Sequence, residues 1–191
     1  MGVTIHFEGR LRDEAAFQRL VLQVEAFAET KGWPTRRFEE SDVRLARVID
    51  EHDVDYVGPT RGVEAQPHPD SEALRFEFDQ SLFMQDFCKT QFAGLETHRD
   101  VVELLRELAP HFEVFDAFDD GEFWETNDVH VLNQHLKTID GLLADMKRKD
   151  PGGVGPIRLE SGRIVDFIES DQGEAPLEPK GLKRLLGFLR R

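Results

Sequence analysis

Hydrophobic spacing changes period repeatedly along this chain, and that alternation limits the folds open to it. In GVTIHFEG, Val3, Ile5 and Phe7 alternate with Thr4, His6 and Glu8, the period of two that marks a strand buried on one face. Immediately afterwards Phe17, Leu20, Val21, Val24, Phe27 and Ala28 recur at three-and-four spacing, which places them on one side of a helix. Asp13 stands where a cap would accept the first free amides, Gly32 stands where a left-handed residue would close the last turn, and Trp33-Pro34 blocks continuation. Elements of both kinds, interleaved, exclude an all-helical or all-strand core.

The later segments extend the pattern. Thr35 to Glu39 reads as a second strand, while DVRLARVI within residues 40–58 fits a short helix or a strand equally well. An extended run reaches Ala65, Pro67 and Pro69 make a corner, and Leu74, Phe76 and Phe78 alternate in a strand. A turn at Asp79 to Ser81 should return the chain through LFMQDFCKTQF as an antiparallel hairpin. Thr97 and Asp100 have capping-box spacing ahead of Val101, Leu104, Leu105 and Leu108, and Pro110 closes that helix. FEVFDAF supplies another strand, and from Asp128 a long helix carries Leu132, Leu136, Ile139, Leu143 and Met146. The expected class is α+β: an antiparallel or mixed sheet with helices on one face, a decorated ferredoxin-like βαββαβ sandwich being one form. PGGVGP at 151–156 reads as a linker, so residues 1–149 form the main domain. Residues 150–191 form an arm of linker, hairpin turning at Ser161-Gly162, and a basic amphipathic helix.

At 191 residues the chain can bury a core without staples. The single cysteine, Cys88, rules out an intrachain disulfide, and MGVTIHFEG lacks the basic patch and apolar run of a signal peptide. With no apolar run of membrane-spanning length, a cytoplasmic location is expected and a membrane partner is not. Of the net charge of -14, all falls before residue 150, where 31 acids face 17 bases; the remainder holds seven of each. Such a field repels phosphate backbones, which excludes nucleic acid as a partner of the main domain.

FDAFDDGEFWETND, residues 115–128, sets six carboxylates into fourteen positions. An EF-hand loop is excluded: with Gly121 at the glycine position, Phe118 and Asn127 fall where ligands are required. A two-residue hairpin turn at Asp120-Gly121, followed by a helix cap at Asp128, accounts for the residues better than a metal site. The remaining candidates for chemistry are scattered. His6, His68, Glu72 and Asp120 are possible ligands of a divalent metal, although none sits in a zinc-type spacing. Cys88 beside Lys89 is a candidate nucleophile if His98 lowers its pKa, against the plainer reading of a small buried side chain. Phosphate-loop and G-x-S-x-G signatures are absent.

G-V-T-I-H, G-V-x-x-x-P-H-P-x-x-E, F-C-K-T-Q-F-A and D-G-E-x-W-x-T-x-D together resemble a bacterial protein family over about residues 2–146. No activity comes with the resemblance; it marks His6, His68, Glu72, Cys88, Lys89, Asp120 and Trp124 as positions to inspect. The sequence therefore leads to a non-catalytic module that binds a protein partner or a second copy of itself. The alternative is a metal-dependent hydrolase or a cysteine-based enzyme.

Overall fold

A computed structural model of the chain describes residues 2–49 and 52–170. The described residues up to 136 form one compact unit and those from 137 to 170 belong to a second, the division falling within a helix.

The first unit opens with β1 (Thr4–Leu11) and α1 (Glu14–Lys31). Asp13 caps α1 by accepting from the Ala16 amide at 2.7 Å, and Gly32, at φ 69°, returns its amide to Ala28 and Glu29. Both caps stand where the sequence places them. The segment with two readings is extended: β2 (Thr35–Ile49) and β3 (His52–Ala65) make a long antiparallel hairpin with a register shift between Glu40 and Val43. Then follow β4 (Leu74–Phe78), β5 (Phe83–Lys89), α2 (Gly94–Leu108), β6 (Phe112–Asp119), the single turn α3 (Phe123–Thr126) and α4 (Val129–Lys149).

Two antiparallel sheets result, ordered β5-β1-β6 and β2-β3-β4. The expected β4–β5 hairpin is present, though each strand belongs to a different sheet. Its turn is closed by Asp79 N to Phe83 O at 3.0 Å, and its open end by Glu72 N to Lys89 O at 2.9 Å. Read across that hairpin, the strand order follows the ferredoxin-like connectivity, with β2–β3 inserted after α1. The class is α+β, as the alternating periods imply.

Both main helices cover one side. Ile5, Phe7, Leu11, Phe76 and Phe78 are buried with Leu20, Val24, Leu104 and Leu105, and Phe17 meets Phe78 edge-on at 5.7 Å. Lys31 on α1 reaches Asp100 on α2 at 2.6 Å. That contact revises the capping box: α2 starts at Gly94, so Thr97 and Asp100 lie inside the helix, and Thr97 bonds back to the Ala93 carbonyl. Asp128 does cap α4, accepting from the His130 amide at 2.7 Å.

Beyond the bulge the β2–β3 hairpin becomes an arm held against β5 from the side opposite the helices. Arg47, 5% exposed, pairs with Asp79 at 2.5 Å and lies between the Tyr56 and Phe83 rings. Gln85 grips the arm's backbone, accepting from Val48 N at 2.9 Å and donating to Val48 O at 2.7 Å.

In the second unit, Asp150 binds the amides of Gly152, Gly153 and Ser170. β7 (Ile157–Arg158) pairs with β8 (Ile164–Val165), turning through Ser161 and Gly162 as expected. The basic segment of the arm lies outside the described residues. No helix among the described residues is long and apolar enough to cross a membrane.

Candidate binding face

Strand alternation sends Ile5, Phe7 and Leu11 under the helices and His6, Glu8 and Arg10 to the other side of β5-β1-β6. Pairing register then fixes what stands beside them. His6 lies opposite Phe87 and Phe118, Glu8 opposite Gln85 and Asp116, and Arg10 opposite Phe83 and Val114. The result is a row of rings across three strands, with the His6 centroid 5.7 Å from Phe87 and 6.1 Å from Phe118. Asp120 Oδ2 lies 3.9 Å from His6 Nε2, beyond hydrogen-bond distance. No helix among the described residues of the first unit packs on this side: Val114 is 66% and Phe118 60% exposed.

β6 is also the end strand of its sheet. Asp120 N bonds Thr4 O at 3.1 Å, so as far as the register shift at Leu11 the even-numbered residues Val114, Asp116 and Phe118 face β1 with their backbone groups. Phe115 and Ala117 consequently turn N–H and C=O away from the sheet, and no strand among the described residues pairs with that edge. At the end of the strand the outward amide of Asp119 is taken by Glu125 Oε1 at 3.2 Å.

The acidic stretch is organised differently from the two-residue hairpin turn expected at Asp120-Gly121. No strand returns; Glu122 takes the positive φ, at 56°, and α3 begins at Phe123. The hub is Asp119, whose carboxylate accepts from the amides of Gly121 (2.7 Å), Phe123 (2.9 Å) and Trp124 (3.1 Å). It also meets His98 Nε2 at 2.8 Å, and His98 Nδ1 meets the Thr90 hydroxyl at 2.7 Å. Burial pulls the Asp119 carboxyl up, but His98 and the amides outweigh it and hold the group below the usual carboxylate range.

Hydroxyl, imidazole and carboxylate thus stand in the order of a proton relay, yet Thr90, His98 and Asp119 are each 0% exposed. A nucleophile has to be reached by its substrate. Here the three groups tie β5, α2 and β6 together beneath the helices.

His98 is therefore occupied by Thr90 and Asp119, where the sequence suggested it as an activator of Cys88. Cys88 is 0% exposed, its thiol directed at the Glu72 carbonyl at 3.4 Å, and Lys89 projects from the other side of β5, its amide bonding Glu72 Oε2 at 3.1 Å. His68 sits at the Pro-rich corner, accepting from the Asp70 amide at 3.0 Å through Nδ1. Trp124 packs on Phe115 at 6.0 Å, and its carbonyl accepts from Arg106. Of the candidate metal ligands, His6 and Asp120 come together, while Glu72 belongs to the β5 end and His68 to the corner. Among the described residues no group of three or more His, Cys, Asp or Glu side chains is placed to hold a metal ion.

Sequence reasoning passed over Phe87, Val114 and Phe118 as surface residues, and Thr90 and Asp119 as parts of the buried cluster. The signal for the first group lay in the alternation of FEVFDAF, which forces Val114, Asp116 and Phe118 onto one face. Comparison with protein-family models, with curated proteins and with solved structures finds no match.

Proposed function

We propose that the protein is a non-catalytic binding module whose working surface is the helix-free side of β5-β1-β6. The observation that carries this reading is β6, where Val114 and Phe118 flank Asp116 and stay exposed while the β2–β3 arm lies over the β5 part of the same face. Apolar side chains of that size, set together and rimmed by charge, mark contact surfaces in soluble proteins. The partner is a protein or a second copy of the chain, and one cysteine, buried, suits a reducing cytoplasm. Burial of Cys88 and of the Thr90, His98 and Asp119 cluster weighs against the enzyme alternative, because catalysis needs access.

The test is to pan a random peptide display library against the full chain and against Phe118→Glu. Recovery of peptides that bind the parent and lose binding to the variant supports the reading. An empty selection, or peptides indifferent to Phe118, counts against it.

A further inference from the structure

Resting on that reading, we infer that the occupant of this surface is a cationic, apolar stretch of a protein partner that adds as a strand to the free edge of β6.

Three features of β6 converge on this chemistry. The first is its backbone: Phe115 and Ala117 offer outward N–H and C=O groups in the geometry that an added strand completes. The second is side-chain order. On the open face β6 presents Val114, Asp116 and Phe118, with spacing that an extended partner matches when apolar residues flank a Lys or Arg. The third is charge. From Glu113 to Asp128 there are seven acids and no Lys or Arg, and Glu113, Asp116, Glu122, Glu125 and Asp128 are exposed.

The same charges select against the obvious competitor. Proteins blunt exposed edges with charge to stop self-pairing. A second β6 would bring Glu113, Asp116 and Asp120 of both copies along one seam, with no base there to offset them. A segment with Lys or Arg set between apolar residues on one face meets attraction where a second copy meets repulsion. The β2–β3 arm cannot serve as this strand, since Gln85 and Asp79 hold it on the β5 side.

The experiment uses the full chain and two synthetic peptides: Val/Lys, a Val-Thr-Lys-Thr repeat that sets Val and Lys in turn along one face, and Val/Glu, with Glu in place of each Lys. The Val/Lys peptide is expected to bind at least about tenfold more tightly, an advantage that shrinks with added salt. Asp116→Lys should move the preference towards Val/Glu. Ala117→Pro removes an outward N–H without touching a bond to β1, so it should abolish binding while circular dichroism stays that of the parent. Equal binding of the two peptides, or indifference to Ala117→Pro, overturns the inference. If panning yields Phe118-dependent peptides but none is basic, the partner class falls and the binding face stands; if panning yields none, the proposed function falls first. A doubled mass in sedimentation that Ala117→Pro abolishes would assign the edge to self-pairing instead.

Discussion

Two histidines, each with a carboxylate nearby, show opposite solutions on the two sides of one sheet. His98 is fully buried, its ring nitrogens engaged at 2.7 Å and 2.8 Å. His6 stands between two phenylalanine rings with its side chain half exposed, 3.9 Å from Asp120. A polar group taken out of water must have every bond met, so the His98 cluster is committed to holding elements together. At the surface water supplies the missing bonds, so His6 is not committed to holding elements together.

The contrast can be broken by substitution. Asp119→Ala strands three amides and the His98 imidazole in a dry interior, and urea unfolding should show a loss of about 3–5 kcal/mol. His6→Ala should stay within about 0.5 kcal/mol of the parent in the same measurement. Equal losses would mean that both histidines are structural.

Acid should sharpen the contrast further. Burial raises the Asp79 carboxyl, but bonds from Arg47, Ser81 and the Phe83 amide outweigh it, and like Asp119 it sits below the ordinary value. For a depressed carboxyl the unfolded chain binds protons first. Stability is then complete above the ordinary aspartate pKa of about 3.9 and is lost as pH falls through the lower folded values. Urea midpoints should decline slightly below the ordinary histidine pKa of about 6.5, because burial and then Arg19 and Arg12 lower that of folded His111, and fall steeply below about pH 4. His6→Ala should leave that profile in place; Asp79→Asn should flatten part of it.

A smaller loss than that of Asp119→Ala concerns the arm. Gln85→Ala removes both bonds to Val48, and a net loss of about 1–2 kcal/mol is expected. Amide exchange should accelerate at Val48 and its neighbours, while the amides of α1 keep their protection. Uniform acceleration would show instead that arm and core open as one unit.

How much of this was legible depended on where each residue's partners lie in the chain. α1 was readable to both caps because Asp13 bonds Ala16 and Gly32 bonds Ala28 and Glu29, all within one turn. The arm was not. DVRLARVI has too few buried positions for a clear period, since Leu45 and Arg47 are inward but Val48 and Ile49 are exposed. What makes it a strand is β3 beside it, together with Asp79 and Gln85 more than thirty residues away. At FDDG local reasoning found a turn but centred it on Asp120-Gly121. Asp119 takes over because Gly121, Phe123, Trp124 and His98 all converge on its carboxylate. His98 shares the apolar side of α2 with Val101, Val102 and Leu105, a position that announces burial without naming a partner.

By itself the sequence determined the class of fold, the ends of its first helix, and the sign and location of its charge, because those follow from periods and caps spanning a few residues. Which carboxylate meets which imidazole, and which side of the sheet the helices leave, was decided only when β5, α2 and β6 closed around Asp119. Ionisable groups take their roles from neighbours in space, and burial sets whether those neighbours are protein or water.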